Sequence, residues 1–141
     1  MAEAKYVSAL RFKWLTPLYD FFVGITMPER KIKQALINTS FLTDYATVLD
    51  FGCGTATLTM MAKEHRPLIK ITGIDIDKTI LKKATENVVR KQLDINLISY
   101  NGEHLPFADS SFDRIISCLV FHHLETTVKQ SMLAELYRVA H

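Results

Sequence analysis

Four residues within one short stretch could do the most chemistry in this sequence: Asp50, Gly52, Gly54 and Ala56, spaced as Asp-x-Gly-x-Gly-x-Ala. Glycine can take positive φ and offer a bare N–H, so such a turn lets a ligand come close to the backbone. Taken alone it is equally an ordinary strand-to-helix turn, because short glycine patterns also arise by chance. Asp75, about twenty residues on, strengthens the ligand reading, since a carboxylate ending the next strand can accept from both ribose hydroxyls of a nucleoside. Asp77 stands where a helix cap belongs. A nicotinamide-binding turn requires a third glycine where this sequence has Thr57. Asp50 would also repel a pyrophosphate but favour a cationic ligand, by direct or water-mediated contact. A sulfonium nucleoside suits that charge.

A second group lies where the apolar run from Phe112 to Phe121 ends in His122 and His123. Open parallel sheets bind ligands at the carboxyl ends of their strands, and a histidine there can orient a substrate or take a proton near neutral pH. The alternative is that each histidine packs or caps the last helix. Tyr19, among the early aromatic residues Tyr6, Phe12, Trp14, Phe21 and Phe22, is a candidate for a lid that contacts a cation through its ring. A hydrophobic helix packed on the sheet is the competing reading. Cys53 and Cys118 lack CxxC or Cys/His spacing, so neither a metal site nor a disulfide framework is expected, and a reducing cytoplasm is the simplest setting.

These residues need elements to hold them. Thr47 to Phe51 is a short apolar run feeding the glycine turn and is expected as a first buried parallel strand, followed by a helix from Thr57 to about Glu64. Ile69 to Ile76 gives a second strand, and Asp77 caps a helix to about Lys91 with Ile80, Leu81, Ala84 and Val88 in one stripe. Ile95 to Tyr100 and Phe112 to Phe121 give a third and a fourth strand. Val128, Met132, Leu133, Leu136 and Val139 mark the buried face of a last helix. Ahead of all this, Thr26, Pro28 and Glu29 form a capping box opening a helix from about Pro28 to Asn38. Strands alternating with helices imply βαβ crossovers and an α/β fold with a Rossmann-like, doubly wound parallel sheet. The expected division is an N-terminal helical extension over residues 1–45 and a ligand-binding domain over 46–141.

With 141 residues and 48% hydrophobic content, one core of ordinary size is the expectation. A formal charge of +2, spread along the chain, is too small for a nucleic-acid footprint. No stretch has the length and apolarity of a signal peptide or a membrane span, so stable membrane insertion is not expected.

Val48 to Ala56 resembles the first motif of class I S-adenosylmethionine-dependent methyltransferases, and Gly73-Ile74-Asp75 resembles the second. Asn101 to Phe107 and Ser111-Phe112-Asp113 are similar to the corresponding segments of the methyltransferase type 11 branch. Leu15 to Asp20 more loosely resembles the opening of ubiquinone/menaquinone C-methyltransferase-like proteins. The resemblance implies S-adenosylmethionine as cofactor and a small-molecule methyl acceptor. It places Asp50, Gly52 and Gly54 around the methionine moiety, Asp75 at the ribose and Ile76 beside adenine. The next loop, Asn101, Gly102 and Glu103, would read the adenine edge, with the Asn101 carbonyl accepting from the adenine amino group where relatives commonly have aspartate. Ala56 replaces a more usual glycine, a change that negative φ would accommodate. Methyl transfer from a sulfonium needs mainly alignment, so no catalytic residue is assigned.

The resemblance also implies strand order 3-2-1-4, with similar proteins continuing past His141 into a fifth strand. The chain is therefore expected to be a fragment with an open apolar edge on its fourth strand, and to be inactive or weakly active alone. Two other functions stand beside methyl transfer: a noncatalytic module that binds cofactor or completes its sheet with another chain, and, less favoured, a nicotinamide-dependent oxidoreductase.

Overall fold

The computed structural model describes residues 28–141. Its centre is β1 (Thr47–Phe51), in which Val48, Leu49, Asp50 and Phe51 are all buried, as a parallel strand covered on both faces requires. β1 pairs in parallel with β2 (Lys70–Asp75) on one side and β4 (Arg114–Ile116) on the other, while β2 pairs with β3 (Asn96–Ser99). The order β3-β2-β1-β4 is that of the expected Rossmann-like sheet. Four helices accompany it among the described residues: α1 (Glu29–Thr39), α2 (Thr57–His65), α3 (Lys78–Arg90) and α4 (Thr126–Val139).

The alternation of β1 divides the core. Val48 packs with Ile37 of α1, Leu58 and Ala62 of α2, Ile71 and Ile116. Leu49 and Phe51 pack on the opposite face with Ile74, Leu105, Phe112 and the Met132, Leu136 and Val139 stripe of α4. Leu81, Ala84 and Val88 bury the expected face of α3, with Ile80 half-buried beside them.

Four local expectations change. The fourth strand is three residues long rather than ten: Leu119 takes φ +59, which no strand continues through, and Phe121–His123 closes into a 3-10 turn. Ser117 marks the departure, its hydroxyl donating to the Phe51 carbonyl at 2.9 Å. In α4, Leu133 is 55% exposed, because it lies about 100° around the helix from the buried Met132. α1 starts one residue later than expected, with Pro28 at its N-cap and no side-chain cap bond; Thr26 lies outside the described residues. Ala56 sits at φ +65, so its methyl group is held in the left-handed region rather than at negative φ.

Beyond α4 the chain turns back to the sheet. The Phe112 N–H donates to the Val139 carbonyl at 3.0 Å, and the His141 N–H donates to the Phe112 carbonyl at 2.8 Å. Together they form a parallel bridge between Phe112 and Ala140.

Candidate functional site

The register of β1 on β2 sets Asp50 beside Gly73 and Phe51 beside Ile74, so the turn leaving β1 lies against the end of β2. Gly52 and Cys53 both donate their N–H to the Ile74 carbonyl, at 2.9 and 3.0 Å. Asp75 then braces two turns: Oδ2 accepts from the Gly54 N–H at 2.9 Å and Oδ1 from the Asp77 N–H at 3.0 Å. A carboxylate has about four acceptor positions, so Asp75 keeps capacity for further donors. Asp77 caps α3, accepting from Thr79 N–H at 2.8 Å and Ile80 N–H at 3.1 Å.

Gly52 and Gly54 take φ +73 and +54 and share one turn, but their surroundings differ. A Cβ on Gly52 would lie 2.4 Å from Val120 Cγ2, so that glycine makes room for the chain after β4. A Cβ on Gly54 would meet nothing within 4 Å among the described residues. Open space above a positive-φ glycine, beside a carboxylate with spare acceptors, fits a nucleoside cofactor.

Asp50 lies beneath the turn, 1% exposed, with Oδ2 accepting from Thr59 Oγ1 at 2.6 Å. Burial pushes its pKa up to about 6, partly offset by the hydrogen bonds from Thr59 and by the charge of Lys33. It also supplies a negative group to the first turn of α2, whose N-cap residue Ala56 has no side-chain cap. Cys53 is buried at the same turn, and desolvation raises its thiol far above the ordinary range, aided by the charges of Asp50 and Asp75. That leaves it protonated and unreactive.

On the far side of Asp75, the backbone N–H of Tyr100 donates to the Asp75 carbonyl at 3.3 Å. Gly102, at φ +85, approaches Ile76: a Cβ there would be 3.7 Å from Ile76 Cγ2. The Asn101 carbonyl oxygen accepts from the N–H groups of Glu103 and His104, at 3.0 and 3.2 Å. Its two lone-pair directions are thus used within the loop. Glu103 and His104 are exposed. Burial raises Tyr100 to about 12, with a further contribution from the charge of Asp75.

His122 and His123 stand on the 3-10 turn after Val120, their ring centroids 3.8 Å apart. Desolvation, then the neighbouring His122, lowers the pKa of His123. Tyr19 lies outside the described residues. Among the described residues, no group of three or more His, Cys, Asp or Glu side chains is placed to hold a metal ion.

Four contributors escape the sequence patterns. Thr59 is the polar member of an otherwise apolar inner face, with Leu58, Met60 and Ala62 around it, and that polarity was its only signal. Val120 has no signal at all before the chain turns at Leu119. Arg138 and Glu135 clamp the loop after β3: Arg138 donates to the carbonyls of Phe107 and Leu105, and Glu135 accepts from the Leu105 N–H at 2.9 Å. Hydrogen bonding from Arg138 and Leu105 holds Glu135 down at about 2.

Comparison with known proteins agrees with this arrangement. Residues 48–141 match a family model described as a methyltransferase domain. Demethylmenaquinone methyltransferase of Listeria monocytogenes is 37% identical over 132 residues, covering 91% of this chain and 55% of the relative. The chain thus spans about half the length of the curated relatives it matches. Among solved structures, a SAM-dependent methyltransferase from Aquifex aeolicus is similar with a TM-score of 0.71 at 24% identity, over 86% of this chain and 66% of that one. PH0226 protein from Pyrococcus horikoshii has a TM-score of 0.75 at 20% identity, over 92% and 61%. At these identities the two structures show the fold. With the sheet order, the glycine turn braced by Asp75 and the family match from Val48 to His141 all in agreement, this chain belongs to the methyltransferase domain family.

Proposed function

We propose that this chain provides the cofactor-binding part of an S-adenosylmethionine-dependent enzyme that methylates a small molecule. The observation that carries the reading is the pairing of Asp75 with the open side of Gly54 at the carboxyl end of the sheet. When bound, the cofactor supplies a methyl group on a positively charged sulfur, ready for displacement by an acceptor.

In this reading Asp75 accepts from the ribose hydroxyls with the positions left free by Gly54 and Asp77. Ile76 and Gly102 border the adenine, the Asn101 amide donates to its edge, and Glu103 lines the rim. Gly54 gives passage to the methionine moiety, while Gly52 fixes the turn by receiving Val120. Asp50 acts through its field from beneath rather than by contact, being buried against Thr59. Tyr19, His122 and His123 are assigned to the acceptor side; the lowered pKa of His123 supports a neutral imidazole there at neutral pH. Residues 1–45 act as the lid-forming part and 46–141 as the cofactor domain.

The acceptor class is drawn from the relatives' names, which include a demethylmenaquinone methyltransferase. A cytoplasmic setting is consistent with two free thiols, and no described helix is long and apolar enough to cross a membrane. Association through β4 is supported by its edge away from β1, on which the isolated parallel bridge between Phe112 and Ala140 stands two residues ahead of the strand. No nucleic-acid partner is proposed, given the net charge of +2.

A thermal-shift series tests the reading. S-adenosylhomocysteine at about one hundred times its Kd is expected to stabilise the full chain by about 2.7 kcal/mol, with NAD giving no shift. No shift with either sulfur nucleoside would overturn it.

A further inference from the structure

Lys33 is a partly buried cation near this site. Glu29, Lys33 and Ile37 recur every four residues and share one face of α1. Ile37 is 2% exposed in the core with Val48, Leu58 and Ile116, and Leu36 and Cys118 pack against the same cluster. The Lys33 side chain, one turn earlier on that inward face, is 12% exposed and pairs with Glu29, which is 38% exposed.

Topology sets its height. α1 ends at Thr39 and the chain returns through residues 40–46 to the start of β1, so α1 runs back along the strand. Eleven helical residues span about 16 Å, and the five residues of β1 span about the same. The first turns of α1 therefore come level with the carboxyl end of β1, where Asp50, Cys118 and the glycine turn meet. The electrostatics agree: burial raises the pKa of both Asp50 and Cys118, and the charge of Lys33 opposes that rise at each, while Glu29 adds to it at Cys118.

Stability does not account for a lysine here. A helical i,i+4 pair contributes only about 0.3 to 0.5 kcal/mol and forms as well in full solvent, whereas an apolar residue would complete the stripe of Leu36 and Ile37. An ammonium kept on an inward face beside a ligand turn points to an anion, and its acidic partner points to a cation next to that anion. The amino-acid end of S-adenosylmethionine carries both.

The geometry points to the Glu29–Lys33 pair as the subsite for the amino-acid end of the cofactor: Lys33 takes the carboxylate and Glu29 the α-ammonium, each exchanging its partner in α1 for one on the ligand. The exchange leaves no buried charge unpaired, which keeps the desolvation cost low. This inference rests on the cofactor reading above.

The test titrates the full chain with S-adenosylhomocysteine and with 5′-methylthioadenosine, which keeps the nucleoside and sulfur and lacks the amino-acid end. The wild-type chain is expected to favour S-adenosylhomocysteine at least about tenfold. Lys33→Met is expected to reduce that preference to about twofold or less while leaving 5′-methylthioadenosine affinity unchanged, which also reports that the variant is folded. An undiminished preference, or equal loss of both ligands, overturns the assignment. Decarboxylated S-adenosylmethionine tests it without a substitution: it should bind wild type about tenfold more weakly than S-adenosylmethionine, and equal binding overturns the role of Lys33. If wild type binds no nucleoside, the cofactor reading fails and this inference fails with it; binding of 5′-methylthioadenosine alone overturns only the inference.

Discussion

Asp50 and Asp75 end neighbouring strands of one sheet, and burial gives them different chemistry. Asp75 is half-buried and meets two backbone N–H groups, whereas Asp50 is enclosed with Thr59 and takes a pKa of about 6. Because the folded state holds the proton of Asp50 more tightly than the unfolded chain does, this group contributes stability that is fully present below about pH 4. That contribution is lost as pH rises through about 6. The unfolding free energy of wild type, measured by urea titration relative to Asp50→Asn, should therefore increase by about 2 to 4 kcal/mol between pH 7 and pH 4. A pH-independent difference would remove Asp50 from the buried position. The spacing of Asp75 from the glycines was legible in the sequence because it follows from strand and helix lengths. The burial of Asp50 was not, since it depends on Thr59 arriving from α2. Nor was the engagement of the Asn101 carbonyl by the N–H groups of its own loop.

At the scale of elements, the turn from β1 into α2 holds three left-handed residues, and each asks for a different substitution. Gly52→Ala should cost about 1 to 3 kcal/mol of stability by clashing with Val120, and Val120→Ala should recover part of it. Gly54→Ala meets no atom of the described residues, so its expected cost is that of the strained φ while cofactor affinity falls; denaturation and binding measured together separate the two glycines. Ala56→Gly should raise stability by up to about 1 kcal/mol, as relief of positive φ outweighs the added freedom of the unfolded chain. No gain in the denaturation midpoint would contradict that strain. Strands β1, β2 and β3 and the ends of α2 and α3 were readable to within about a residue, because hydrophobic runs ended at glycine or at a capping aspartate. β4 was overread: Ser117 to Phe121 is as apolar as a strand, but Leu119 turns and Val120 is drawn onto Gly52. Composition carries no trace of that contact.

For the whole molecule, residues 48–141 match a methyltransferase domain, and the chain spans about half the length of the curated relatives it matches. The isolated parallel bridge between Phe112 and Ala140 stands two residues ahead of β4, on the edge away from β1. If that edge accepts another strand, the mass of the full chain in solution should rise with concentration, and Arg114→Pro should suppress the rise by removing an edge N–H while sparing the ladder to β1. A mass equally concentration-dependent in the variant would place the association elsewhere. The sheet order was foreseen through family resemblance, whereas strand spacing alone established only that the sheet was parallel.

In the proposed function, Asp75 and the open side of Gly54 form the nucleoside end of a methyl-donor site. Calorimetric titration of wild type and Asp75→Ala with S-adenosylhomocysteine and NAD tests it most directly. Wild type is expected to bind S-adenosylhomocysteine, Asp75→Ala to lose about 1 to 3 kcal/mol of that binding, and neither to bind NAD. Equal affinity of the two proteins for S-adenosylhomocysteine, or a preference for NAD, would contradict it.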